Sequence, residues 1–410
     1  MAQRRDDYGP AVGIVPLTWA AAARPLPKAP VLSWDSLWGR RLSSLPSVGD
    51  LPHVAYASSG RAALLAALRQ TATRPGSGVL VPTYHCPTMV APVLRAGLQP
   101  LFFPVTADGL PELDAIGTAM AGQARVMFVA HYFGLPKSLQ TVQRWCHERD
   151  IVLVEDCAHS YFGQAGERPI GCWGDYATAS LSKFFPVAEA GLLASAYHPL
   201  KPLGLQAAGL SKQIKGGVDV LEFAQRYGRL AGVSQLLAPL FWLKNGGRLQ
   251  TTVAALAPSV DASLDDTLAS CDMARVEQAA TWAACSLHQV MPEARVVQRR
   301  RANYLQLAQG LAGAPGAQLL QGNLPEGAAP YVCPLLVEGA ERADLVYFRM
   351  RQARLPVFRW DQVWPGTPID SHDHGHQWQR QILQLLCHQD LCSDDLTHVL
   401  HATRQFLTRA

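Results

Sequence analysis

Charge is scarce in this chain. Only 17% of its 410 residues are Asp, Glu, Lys or Arg, against 49% hydrophobic, and the formal net charge is +4. That balance excludes a disordered polypeptide and leaves enough apolar material for a sizeable core. The arginines are scattered or form short clusters such as Arg299 to Arg301, with no stripe interleaved with aromatics, so nucleic-acid binding gets no support. CxxC pairs are absent, and the nine cysteines are odd in number and widely spaced. They read as reduced thiols of a cytoplasmic protein and exclude a disulfide framework or a cysteine zinc site. Long apolar runs are also missing. The start, MAQRRDDYGP, follows its arginines with acids and a proline, which argues against a signal peptide. The most apolar later stretch, VSQLLAPLFWL (233–243), contains Pro239 and is about half the ~20 residues a membrane crossing needs. It reads as a core or interface helix, so no membrane span is expected.

What is present is a rhythm. Between residues 54 and 196 short apolar runs alternate with helical ones: SGRAALLAALRQ (59–70), VLVPTY (79–84), TMVAPVLRAG (88–97), LFFPV (101–105), LDAIGTAMA (113–121), VMFVAHYF (126–133), LQTVQRWCHERD (139–150) and IVLVED (151–156). This alternation predicts an α/β fold with a mainly parallel sheet covered on both faces. Ligands gather at the carboxyl ends of such strands. There the chain sets Glu155 and Asp156, and later Lys183 in the low-charge run SLSKFFPVAEAGLLAS.

These residue types suit one cofactor. A strand-end acid that stays ionised in an apolar setting needs a cationic partner, and the protonated ring nitrogen of pyridoxal phosphate is one. A partly desolvated lysine in the same cavity has the lowered proton affinity of a Schiff-base nucleophile. In SSGRAAL, Gly60 lets the backbone approach closely, and the amides of Gly60, Arg61 and Ala62 open a helix N-terminus where a phosphate is favoured. Ser180 or Ser182 adds a hydroxyl near the lysine.

The ordered set SGRAAL, VPTY, HYFG, VEDCAHS, GCWGD and SLSK with AEAG resembles the DegT/StrS-type sugar aminotransferases, pyridoxal phosphate enzymes of fold type I. The resemblance covers about residues 54–196 and extends loosely to RRRANYLQLAQGL (299–311) and LPVFRW (355–360), where that family has its small-domain helix and following strand. It implies an N-terminal arm (1–44), a large cofactor-binding domain with a mainly parallel sheet (45–285, with 197–268 as an extended insertion) and a smaller C-terminal α+β domain (286–410). It implies that Lys183 forms the Schiff base and moves the proton, that Asp156 pairs with the pyridine nitrogen, and that Ala158 packs near the ring. His159 would lie near the cofactor's phenolic oxygen or the substrate. Ser59, Gly60, Arg61 and Ser180 would hold phosphate, and the ring-stacking position is open between Tyr84 and His85. Arg61 departs from the small hydroxyl usual beside Gly60. Ser270 and Asp272 stand where many members supply an Asn-x-Arg pair from a partner subunit.

The implied reaction is amino transfer from glutamate or a similar donor to a keto-sugar, nucleotide-linked in the expected case, by a homodimer. The rivals are a lyase or dehydratase on the same fold, against which Lys183 argues because the related dehydratases carry histidine there, and a non-catalytic relative with a binding role. The histidine-rich SHDHGH (371–376) lacks ligand spacing, so no metal is expected. His131 is read as an even choice between a core histidine and a site residue.

Overall fold

The computed structural model describes residues 26–233 and 264–410. The start of the chain and nearly all of VSQLLAPLFWL lie outside them. Strands β1 (His53–Ala57), β2 (Gly78–Pro82), β3 (Gln99–Phe103), β4 (Ala124–Ala130), β5 (Val152–Asp156), β8 (Tyr176–Ser180) and β9 (Gly191–Ser195) form one sheet in the order β1-β9-β8-β5-β4-β2-β3. A two-stranded ribbon, β6 (Gln164–Ala165) and β7 (Arg168–Pro169), lies between β5 and β8 in sequence. Pairings through β3-β2-β4-β5-β8 are parallel, and β9 runs antiparallel to both its neighbours. The near-continuous apolar runs follow from this: β2 and β9 are buried along their full length, as strands covered on both faces must be.

Helix α1 (Gly60–Gln70) buries eight of its residues, mostly Ala and Leu, which lets it lie close against β8 and β9. Helix α2 (Pro87–Arg95) stops before Gly97, whose φ of +72° only glycine adopts without strain. The stretch 113–121, expected as one helix, divides at Gly117 into a 3-10 turn, Leu113–Ala115, and α3 (Thr118–Gln123). Helix α4 (Gln140–His147) leads into β5, and α5 (Leu210–Arg226) follows β9.

A second sheet, β10 (Ala317–Leu319), β11 (Val332–Val337), β13 (Ile382–Leu386) and β12 (Val357–Phe358) in that order, is antiparallel throughout. Helices Glu293–Leu311 and Ala340–Gln352 pack on it, and helix Ser393–Thr408 packs on those two helices. Side chains of both sheets, among them Leu153, Leu192, Leu335 and Leu385, share one apolar core. No helix among the described residues is long and apolar enough to cross a membrane.

Several histidines are buried in this frame. Burial pushes the rings of His85, His288 and His388 down to about 4 and that of His159 well below its usual value. Burial pushes the Glu293 carboxyl up to about 7 and the Asp156 carboxyl upward. Below pH 6.5 the unfolded chain protonates these four histidines while the folded one does not, so stability falls with pH. The two carboxyls act in the opposite sense, because their folded forms take up protons first. The histidines outnumber the carboxyls, so unfolding takes up protons on balance as the pH falls below 6.5. The urea midpoint is therefore expected to drop steadily from pH 7 to 5, and a flat or rising midpoint contradicts the assignment.

Candidate active site

Side chains alternate across a strand, so the two adjacent carboxylates at the end of β5 cannot serve one purpose. Glu155 is fully buried and turns to the loop that enters β8. Its Oε1 accepts the amides of Trp173 (2.7 Å) and Gly174 (2.6 Å), and its Oε2 accepts the amide of Gly171 (3.1 Å) and the Nε2–H of His131 (2.8 Å). Glu155 is thus a fastener for the GCWGD loop, and His131 is its partner while also lining the site cavity. His131, Glu155 and Cys157 are the one group among the described residues with ligand atoms close enough for a metal, and three amides and an imidazole already occupy the carboxylate.

Asp156 faces a cavity of about 230 Å³, with Gly60, Arg61, Ala158, His159, Ser180 and Lys183 also on its wall. Its Oδ1 accepts the Ala158 amide at 2.9 Å. Burial raises its proton affinity, and Lys183 across the cavity opposes that rise. Lys183 closes the short turn Leu181–Lys183 after β8. Burial lowers its proton affinity, partly offset by Asp156. Its Nζ lies 5.3 Å from the Tyr331 ring centre and 5.9 Å from that of Trp360. Each charge is desolvated and each partly compensates the other, as expected of groups poised around a polar ligand.

His159 is sandwiched between Tyr331 (4.4 Å between ring centres) and Trp360 (4.5 Å). Its Nδ1 accepts the Phe133 amide at 3.4 Å, which fixes the ring hydrogen on Nε2, and Nε2 is buried without a partner. At the mouth of α1, Ser59 caps the helix by accepting the Ala62 amide at 3.2 Å. A Cβ on Gly60 would stand 3.1 Å from that of Ser180, and one on Gly191 would stand 2.2 Å from the Ser59 carbonyl oxygen. The cradle is therefore a close backbone approach of α1 to the strand pair β8 and β9.

Some expected site residues lie elsewhere. Tyr84 is in the core, packed against Tyr132, Trp360 and Trp378, with its hydroxyl accepting from Gln384. His85 is buried on Phe102, its Nδ1 bonded to the Pro82 and Thr83 carbonyls and its Nε2 accepting the Trp364 amide. Neither is on the cavity wall, where Cys86 and Met89 stand instead. Arg61 lines the cavity, but its guanidinium is committed to Glu189 (2.7 Å) and Asp272 (3.2 Å), with Arg275 bridging the same two acids. Asp272 thus meets Arg61 of its own chain, while the Ser270 hydroxyl donates to the Thr267 carbonyl. The SHDHGH histidines sit at the start of helix His374–Gln381, where Asp373 caps the Gly375 amide.

Sequence reasoning missed Arg300. It is fully buried, donates from Nη2 to the Lys183 carbonyl (2.5 Å) and from Nη1 to the Pro330 carbonyl (3.1 Å), and lies on the Phe184 ring. Gln389 joins it by accepting from Arg300 Nε and donating to the Phe184 carbonyl. The second sheet's helix thereby holds the lysine turn in place. The available signal was helical phase: of three consecutive arginines, only one can point straight into the core.

Residues 48–200 match the DegT/DnrJ/EryC1/StrS aminotransferase family. The match takes in somewhat over a third of the chain and holds β1 to β9 of the larger sheet. Among curated relatives, it is 26% identical over 181 residues to the dTDP-4-dehydro-2,3,6-trideoxy-D-glucose 4-aminotransferase of Saccharopolyspora spinosa, covering 43% of this chain and 47% of that protein. It is 28% identical over 156 residues to the UDP-N-acetyl-3-dehydro-alpha-D-glucosamine 3-aminotransferase of Acidithiobacillus ferrooxidans, covering 37% and 41%. The matched stretch spans less than half of either relative. Among solved structures, the PLP form of a putative sugar aminotransferase of Streptococcus pneumoniae superposes with a TM-score of 0.61 at 15% identity, over 94% of this chain and 99% of that one. The fold is that of the pyridoxal phosphate aminotransferases.

The donor set fits pyridoxal phosphate. An acid and an amine face one cavity, a buried imidazole N–H lacks an acceptor, and a glycine-limited helix N-terminus stands beside Ser180.

Proposed function

We propose that this protein is a pyridoxal phosphate aminotransferase that moves an amino group from glutamate or a similar amino acid to the carbonyl of a keto-sugar. The observation that carries this reading is the placement of Asp156 and Lys183 on one cavity at the carboxyl ends of β5 and β8. When bound, the cofactor supplies an aldehyde carbon and an electron-withdrawing ring. The chain supplies the rest. Asp156 keeps a negative charge at the ring-nitrogen position, and His159 offers its unpartnered Nε2–H as a donor. The amides of Gly60 and Arg61 and the Ser180 hydroxyl receive the phosphate. Lys183 Nζ, with its proton affinity lowered by burial, takes up and returns the proton at the reacting carbon.

The relatives' names support the keto-sugar class. A homodimer in the cytoplasm accords with the family and with nine cysteines that are all free thiols. The test is the donor half-reaction: protein loaded with pyridoxal phosphate and mixed with glutamate is expected to release about one equivalent of 2-oxoglutarate per subunit. Failure of glutamate and of every other common amino acid to release its keto acid overturns the reading.

A further inference from the structure

Five of the nine cysteines are fully buried. Burial pushes the Cys146 and Cys387 thiols up to about 12 and those of Cys157, Cys271 and Cys333 upward as well, which holds all five in the unreactive protonated form near pH 7. Cys86 is only half-buried, and it stands on the wall of the cavity that Asp156 and Lys183 share. It directly precedes helix α2, and its Sγ accepts the Thr88 hydroxyl at 3.1 Å. Burial lowers the proton affinity of Lys183, and Asp156 and Cys86 both oppose that, so the thiol is close enough to the amine for their charges to interact. A helix start, a hydroxyl donor and a nearby cation are the surroundings in which thiols react.

The same wall is marked as a ligand site on independent grounds. His159 is 3% exposed, and its Nε2–H points at no acceptor. A ligand on that nitrogen occupies the cavity that Cys86 lines. At about 230 Å³ the cavity has room for several molecules the size of water, and hydrogen peroxide is little larger.

We propose that Cys86 is a modification site: peroxide entering the empty cavity oxidises its thiol, the oxidised protein no longer takes up pyridoxal phosphate, and bound cofactor shields the thiol. The sulfur attacks one peroxide oxygen, the O–O bond breaks, and the other oxygen leaves as water with the thiol proton. Sulfur gives up two electrons and becomes the sulfenic acid, and a second peroxide takes it to the sulfinic acid in the same way. The sulfinate sets a permanent negative charge on a wall that already carries Asp156 and fills space that the ring needs. The shielding half of the proposal rests on the cofactor reading; the oxidation half does not.

The test exposes empty and loaded protein to hydrogen peroxide and maps added oxygen on each cysteine by mass spectrometry, with loading read as the pyridoxyl label on Lys183 after borohydride. In the empty protein, oxygen is expected on Cys86 about tenfold or more faster than on Cys157, whose thiol burial keeps protonated. Cofactor at about ten times its Kd should slow the oxidation of Cys86 by about tenfold. Cys392, which begins the last helix, is the control and should not respond to cofactor. Protein treated with peroxide before loading should lose Lys183 label in step with the oxygen gained at Cys86, whereas in Cys86→Ser and Cys86→Ala the treated and untreated samples should take up label equally. Equal rates at Cys86 and Cys157, a loaded protein oxidised at Cys86 as fast as the empty one, or a loss of label that persists in both variants overturns the assignment. If the untreated protein takes no label on Lys183, the cofactor reading fails by itself, and the rate at Cys86 against that at Cys157 still decides whether this thiol is a modification site.

Discussion

Lys183→Ala is expected to lower amino transfer by a factor on the order of 10²–10⁴, the share that a positioned proton-transfer group contributes. Among the described residues the side chain makes no hydrogen bond that shapes the fold. What holds its turn is the backbone, through Arg300 Nη2 on the Lys183 carbonyl, and that contact survives the substitution. The electrostatic consequence falls on Asp156, which loses the cation opposing its burial and so becomes easier to protonate. Lys183→Arg separates the two roles. The guanidinium restores a positive charge near Asp156 but does not release its proton in the working pH range, so activity is expected to stay lost. Turnover of glutamate with a keto-sugar, followed across pH, checks this. Because burial lowers the proton affinity of Lys183, the rising limb of the rate profile should lie below the usual lysine range. Recovery of most of the rate in Lys183→Arg would mean that the residue only supplies charge.

The second large effect belongs to the neighbouring acid. Glu155→Ala strands three buried amides, those of Gly171, Trp173 and Gly174, together with the His131 Nε2–H. A buried donor left without its acceptor costs roughly 1–3 kcal/mol, and a charged acceptor sits at the top of that scale. Water or relaxation of the loop recovers part, so the expected loss is roughly 3–5 kcal/mol, a large share of a typical stability of about 5–15 kcal/mol. Glu155→Gln keeps one acceptor oxygen and turns an NH₂ toward donors, so about half the loss is expected. Urea midpoints check both, and a loss under about 1 kcal/mol for the alanine variant contradicts the fastening role.

The strand ends were legible in the sequence because short runs between turns leave little choice of element; Asp156 closes one such run and Lys183 closes the short turn after another. The helix mouth at Gly60 was legible for a local reason, since a serine cap followed by glycine and an Ala/Leu run writes a helix N-terminus in one place. The division of labour between Glu155 and Asp156 was not read. Strand parity separates them, but the amides that engage Glu155 come from a loop whose path only the folded chain sets. Arg61 was expected at the phosphate because its partner Asp272 is 211 residues away. For Tyr84 and His85, aromatic character alone could not say which face of the turn after β2 meets the cavity.

The central claim is that Lys183 and Asp156 grip one phosphorylated pyridine. It is tested most directly by incubating the protein with pyridoxal phosphate, reducing with borohydride, and mapping the labelled peptide by mass spectrometry. The account predicts one pyridoxyl group per chain, on Lys183, with labelling weakened in Asp156→Ala. Label spread over exposed lysines such as Lys212 and Lys215, or none on Lys183, would contradict it.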